Sequence, residues 1–144
     1  MKKGRQEALI DAPPQACFDA ITDYETFPDW QDAVESVEVV SRWPDGLGRE
    51  VAFRVDAKVK KIEYRLEYSY EPPHCVTWEY LGGDVKDIDG SFEFEDQGDG
   101  QTLAVYSVAL DAGVWLPGPV ARVLNGQVMK RSVEDLKRRV ESGR

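Results

Sequence analysis

From Ala33 to Asp111 the apolar residues recur at every second position, and turn-forming residues cut the alternation at regular intervals. A period of two sends successive side chains to opposite faces, so each segment reads as a strand with one wet face. Val37 and Val39 lead to the turn Pro44-Asp45-Gly46. Val51, Phe53, Val55 and Ala57 then alternate against Ala52, Arg54, Asp56 and Lys58, and Ile62, Tyr64, Leu66, Tyr68 and Tyr70 against Glu63, Arg65, Glu67 and Ser69. Pro72-Pro73 breaks the run. Val76, Trp78 and Tyr80 form the next strand, ending at Gly82-Gly83, and Phe92 and Phe94 mark another. Gln97-Gly98-Asp99-Gly100 turns this into a last strand from Thr102 to about Asp111. That strand, TLAVYSVAL, is apolar at nearly every position, so period does not assign its faces.

Short turns between consecutive strands make an antiparallel meander, and its apolar face needs a cover. Arg5 to Asp11 reads as a further strand ahead of it. Pro13-Pro14 opens a short helix with Ala16, Cys17, Ala20 and Ile21 at helical spacing. In TDYETFPDW, Thr22 or Asp23 is placed to cap a second short helix that Pro28 keeps short. Beyond Gly113 and VWLPGP the chain reads as one long helix started by Pro117 or Pro119. Val120, Val123, Leu124 and Val128 form one stripe of it, and Met129, Val133, Leu136 and Val140 another, roughly opposite. The phase breaks around Asn125-Gly126-Gln127, where a helical glycine implies a kink or a close contact. The expectation is one α+β domain over residues 1–144: seven antiparallel strands, two short helices and a long C-terminal helix as cover.

At 144 residues, with 42% apolar and 31% charged residues, the chain is long enough for one core and too apolar for disorder. No apolar stretch reaches the roughly 18 residues of a membrane span, and MKKGRQEALI has basic residues without an apolar signal core. A cytoplasmic location is expected. The formal charge of −9 repels phosphates and argues against nucleic acid as a partner. Met129 to Arg144 runs the other way, with six basic residues against three acidic. A solvated helix face complementing the C-terminal dipole accounts for it, and peripheral membrane contact is the alternative. Cys17 and Cys75 are too few for a disulfide framework and read as free thiols.

Catalytic constellations are missing. His74 is the sole histidine, and its Pro-Pro-His-Cys context reads as a hairpin edge, so neither a metal site nor a cofactor is expected. Ser41, Ser91 and Ser107 stand in no nucleophile motif. Gly82-Gly83 and Gly98-x-Gly100 read as turn glycines, outside any phosphate-binding frame. The informative residues are aromatic: Tyr64, Tyr68 and Tyr70 share a face, with Trp78 and Tyr80 on the neighbouring strand. They suit either orientation of a flat or chain-like ligand or plain core packing.

IDAPPQACFDAITDYETFPDW (Ile10 to Trp30) resembles the opening of START-like, polyketide cyclase/dehydrase and coenzyme Q-binding proteins, the SRPBCC or Bet v 1-like superfamily. IDGSFEFE resembles its Gly-containing sixth strand, and WLPGPVARVL into VEDLKRRVE its terminal helix, so the resemblance spans nearly the whole chain. It implies a helix-grip fold with a cavity between the concave sheet and the last helix. The lining expected on that frame is Phe53, Val55, Tyr64, Leu66, Tyr68, Trp78, Tyr80, Phe92 and Phe94 from the strands, with Val120, Leu124 and Val128 from the helix. Trp115 and Leu116 read as a hydrophobic lid or a buried plug. Trp30, with Phe27 and Pro28, locks the helix pair to the sheet or stands at the cavity mouth. Arg54, Arg65 and Asp56 fall on the wet face.

The expected function is binding or transport of a hydrophobic small molecule, a lipid, quinone, isoprenoid or polyketide-like compound, without catalysis. Two alternatives follow from the resemblance. One is a polyketide cyclase or aromatase in which Tyr64, Tyr68 or Tyr70 positions a poly-β-ketone. The other is a protein-interaction module like the ribosome-associated toxins.

Overall fold

Seven strands, β1 (Lys2–Ile10), β2 (Val34–Arg42), β3 (Gly48–Asp56), β4 (Lys61–Glu71), β5 (Cys75–Gly83), β6 (Asp87–Gly98) and β7 (Gln101–Asp111), form one antiparallel sheet. Their order is β1-β7-β6-β5-β4-β3-β2. The strands after β1 are neighbours in sequence and in space, while β1 closes the far edge against β7. Helices α1 (Pro14–Thr22) and α2 (Phe27–Trp30), separated by a 3-10 turn at Tyr24–Thr26, carry the chain from one edge to the other. Helix α3 (Ser132–Ser142) follows the last strand. The computed structural model describes residues 2–57, 60–111, 113, 118, 119, 122 and 131–142. Pro117, the kink near Gly126, the stripe of Val120, Val123, Leu124 and Val128, and Trp115 and Leu116 lie outside these residues, while Pro119, the other expected helix start, is helical and exposed. Among the described residues no helix is long and apolar enough to cross a membrane.

The alternation read from sequence is the burial pattern of the sheet. Val51, Phe53 and Val55 on β3, Ile62, Tyr64, Leu66 and Tyr68 on β4, and Val76 and Trp78 on β5 are buried. The intervening residues face water, where Arg54 bridges Glu35 and Glu63, Arg65 meets Glu50, and Asp56 meets Lys61. These pairs are largely exposed and screened by water, so they contribute little to stability. On α1, Cys17, Phe18 and Ile21 supply the buried side, and Pro14 opens the helix where an amide would lack a partner.

Capping departs from expectation. Neither Thr22 nor Asp23 caps a helix through its side chain, because the Thr22 hydroxyl turns back to the Phe18 carbonyl at 2.8 Å. What fixes the helix pair is a phenol chain. Tyr24, 2% exposed, has its hydroxyl 2.6 Å from that of Tyr70, and the Tyr70 hydroxyl donates to the Gly48 carbonyl at 2.6 Å. The proton of Tyr70 is committed to the carbonyl, so Tyr24 is the donor between the two. Gly82 and Gly83 end the fifth strand as expected, but as paired strand residues and not as turn glycines. They stand opposite Arg65 and Tyr64 after a register shift, and a Cβ on Gly83 would stand 2.4 Å from the Glu63 carbonyl oxygen.

Helix α3 docks Val133, Leu136 and Val140 against α1, β1 and β7. Two polar clamps hold it to the end of β1: Lys137 Nζ donates to the Leu9 carbonyl at 2.6 Å, and Glu141 Oε2 accepts from the Asp11 amide at 2.9 Å. Both cysteines are free, and burial pushes the Cys17 thiol up to about 11.

Candidate ligand cavity

The buried side of the sheet is lined with rings in contact from β3 to β7. Phe53 stacks on Tyr64 at 5.3 Å, Tyr68 lies 5.8 Å from Trp78, Trp78 stacks on Tyr106 at 5.8 Å, and Phe92 sits 4.8 Å from Tyr106. The cross-strand register brings them together: Phe53 pairs with Tyr64, Tyr68 with Trp78, and Phe92 with Tyr106. Among them remains a cavity of about 80 Å³. Phe53, Val55, Tyr64, Leu66, Tyr68, Trp78, Ile88, Phe92 and Tyr106 wall it from the sheet, Ile21, Phe27, Gln31, Ala33 and Val34 from the helix pair and the start of β2, and Ser132 from α3. Its volume equals two to three waters at roughly 30 Å³ each.

Of the residues expected to line it, Phe53, Val55, Tyr64, Leu66, Tyr68, Trp78 and Phe92 do so. Tyr80 and Phe94 do not. Backbone pairing between β5 and β6 ends at Trp78 and Gly90, and beyond it the Tyr80 hydroxyl is held by the Val85 carbonyl at 2.5 Å. Phe94, 1% exposed, is stacked on Phe92 as solid core. Trp30 is also not among the lining residues: its ring meets Phe27 edge-on at 5.1 Å, and its indole N–H donates to Thr26 Oγ1 at 3.1 Å. Sequence reasoning missed Tyr106, which stands on the strand whose faces it left unassigned.

The close approach of β6 to its neighbours rests on Gly90. A Cβ there would lie 2.5 Å from the Ser107 carbonyl oxygen and 2.8 Å from Trp78 Cζ2. Gly90→Ala is therefore expected to cost about 1–3 kcal/mol by overpacking and to displace the indole. Urea unfolding together with near-UV circular dichroism checks this. A variant as stable as the parent, with an unchanged tryptophan signal, contradicts it.

Electrostatically the described lining is neutral. No charged side chain is among its described lining residues. Burial holds Tyr64, Tyr68 and Tyr106 well above the ordinary phenol range, and Tyr64, Tyr70 and Tyr106 each oppose ionisation of Tyr68. At neutral pH these phenols are hydrogen-bond donors, not bases. Tyr106 is bonded to Ser132. His74 stands apart at the β4–β5 hairpin, with Nδ1 3.2 Å from the Phe94 carbonyl oxygen. Among the described residues no group of three or more His, Cys, Asp or Glu is placed to hold a metal.

A wider trough of about 780 Å³ opens on the other side of the sheet, lined by Glu67, Ser69, Thr77, Glu79, Asp87, Asp89, Ser91 and Ser107 among others. It is carboxylate-rich and open to solvent, so it does not withdraw an apolar ligand from water.

The fold is shared with solved structures of low identity. A START superfamily protein from Mycobacterium smegmatis superposes with a TM-score of 0.84 at 17% identity, with 99% of each chain covered. A protein from Thermus thermophilus gives 0.80 at 23%, again over 99% of both chains. The Zhui aromatase/cyclase from a Streptomyces species gives 0.78 at 16%, over 98% of this chain and 92% of that one. No curated protein matches the sequence. Residues 1–141 match the profile of the family described as polyketide cyclase / dehydrase and lipid transport, and the chain belongs to that family.

Proposed function

We propose that this protein binds an apolar small molecule between the sheet and the helical side, as a carrier and not as a catalyst. The observation that carries the reading is the ring-walled cavity with polar groups that can orient a guest but cannot take a proton from it. Catalysed aldol cyclisation needs a base beside the substrate, and the described lining offers no carboxylate, imidazole or amine. Burial of a guest among these rings would supply roughly 25 cal/mol per Å² of apolar surface, against the cost of moving them.

Gentle purification followed by native mass spectrometry, before and after organic extraction, tests this. The expected result is an extractable apolar adduct whose removal lowers the thermal midpoint. Turnover of a synthetic poly-β-ketone by the extracted protein, lost in Tyr64→Phe or Tyr68→Phe, would replace the carrier with a cyclase. Capture of ribosomes or another protein, with no small molecule present, would replace it with an interaction module.

A further inference from the structure

Aromatic residues and Cys17 aside, two polar side chains are buried among the described residues: Thr102 at 0% and Asp135 at 6% exposure. Thr102 is accounted for, because its hydroxyl donates to the Ala12 carbonyl at 2.7 Å. Asp135 is not. It stands in the first turn of α3, and among the described residues its ion pair is with Arg138 at 3.3 Å, a side chain 67% exposed. A carboxylate withdrawn from water is costly unless a cation and hydrogen bonds replace the water it loses. A cation that itself sits in water compensates weakly. An amide or an apolar residue would occupy the position without that cost, so the charge calls for a reason other than stability.

Its place in the fold supplies one. Ser132 precedes Asp135 by three residues on the same helix face, lines the ring-walled cavity and is bonded to Tyr106 on β7. Gln31 and Ala33 line the same cavity from the joint between α2 and β2, and Asp32 lies between them, exposed. Asp32 and Asp135 therefore stand on the two sides of the seam where α3 meets the joint, and they repel. Glu134 adds to that repulsion, while Arg138 and Arg131 oppose it. Burial outweighs all four and holds the Asp135 carboxyl above its ordinary value of 3.8. Lys137 and Glu141, further along α3, are engaged with the end of β1 and are not among the groups acting on Asp135.

We infer that the first turn of α3 is an acid-tightened closure of the cavity: ionised Asp135, facing Asp32, keeps the turn ready to part from the joint, and a proton on Asp135 holds it shut. The inference rests on the carrier reading and gives that site a control of uptake and release. Its sign follows from linkage. Opening brings water to the carboxyl and returns it to its ordinary value, so the closed turn binds the proton more tightly than the open one. The added stability of the closed turn is complete below the ordinary value of 3.8 and is lost as the pH rises through the raised one. A guest is therefore held in acid and exchanged at neutral pH.

Amide hydrogen exchange of the full chain at about pH 7.5 and about pH 5, expressed as protection factors, reads the closure without any guest. The Asp135 amide, bonded to the Arg131 carbonyl at 2.9 Å, reports on the turn, and the β6–β7 ladder is the reference for global opening. In the parent, protection of the turn relative to the ladder is expected to rise at least about threefold in acid. Asp135→Asn should exceed the parent by about the same factor at pH 7.5 and hold one value at both pH values. Asp32→Asn, at an exposed position where folding is not at stake, should move part of the way. Exchange of benzene, followed by NMR on the same three proteins, should slow wherever protection rises. Lower protection in Asp135→Asn would mean that the Arg138 pair holds the turn, and equal protection in all three proteins would mean that the charge is idle. Either result overturns the closure and leaves the carrier reading standing. Benzene exchange that does not follow protection overturns the control of the cavity. No benzene uptake by any of the three, with protection still responding to acid, keeps the acid-tightened turn and removes the carrier reading.

Discussion

Raising the pH above about 10 is expected to unfold this protein in one cooperative step, with its tyrosines ionising together and not one by one. All six tyrosines of the chain, Tyr24, Tyr64, Tyr68, Tyr70, Tyr80 and Tyr106, are held above the ordinary value of 10.0. Burial is the first cause in each. Tyr70 is pushed up to about 12, and Tyr24, Tyr64, Tyr68 and Tyr106 are also raised. A group whose pKa is higher in the folded state contributes fully below its unfolded pKa, and that contribution is lost as pH climbs from the unfolded value to the folded one. Above pH 10 the unfolded chain releases phenolic protons that the folded chain keeps, so each buried phenol removes up to about 1.4 kcal/mol of stability per pH unit. With four of them acting together, the loss steepens above pH 10 against a net stability of only about 5–15 kcal/mol.

Absorbance at 295 nm and far-UV circular dichroism recorded through the same alkaline titration measure both events. The two curves should coincide, and Tyr64→Phe should reduce the steepness of stability against pH above 10 by about one proton's worth. Phenolate absorbance from the buried tyrosines appearing near pH 10, with the sheet signal intact, would mean that their hydroxyls reach bulk water and that the cavity is not closed. The experiment therefore bears on the site as well as on the fold. The same burial that keeps Tyr64 and Tyr68 protonated keeps them donors, and a lining that titrates freely could not hold that role.

The sheet was legible because its period is local. Ile62, Tyr64, Leu66 and Tyr68 announce their face by alternating with Glu63, Arg65 and Glu67, and the structure buries the first set. Tyr106 was not legible, for two physical reasons. Its strand is apolar on both faces, with Val105 buried at 5% beside Tyr106 at 3%, so alternation carries no information there. The turn does not recover it either, because the register slips between Asp96↔Thr102 and Gly98↔Gln101. Counting outward from the turn would set Phe92 opposite Ser107, whereas the slip sets it opposite Tyr106. A shift of one residue exchanges the faces of the whole strand. Tyr80 and Phe94 failed differently. They alternate correctly, but period fixes a face and not a position along the strand, and β5 parts from β6 just before Tyr80. That the hydroxyls of Tyr64 and Tyr68 have no hydrogen-bond partner among the described residues has no sequence signal at all, since it is a property of the assembled interior.

Leu136→Ala is expected to cost about 2–5 kcal/mol, a large part of the stability of a domain this size. Leu136 is 0% exposed at the middle of the buried face of α3, between Val133 at 1% and Val140 at 8%. Truncation removes apolar area and leaves a void that the surrounding sheet and helix cannot fully collapse. The polar clamps beside it make an instructive contrast. Lys137 bonds both the Leu9 carbonyl and Glu141, but its side chain is 42% exposed, so Lys137→Ala should cost no more than about 1 kcal/mol despite removing two hydrogen bonds. Urea titrations of both variants against the parent, with the slope checked for constancy, rank the two effects. If Lys137→Ala proves the more damaging, α3 is held by its clamps and not by its apolar face. The helix would then be a latch on the β1 edge, opened by salt and competing charge, and the cavity beside Ser132 would open with it.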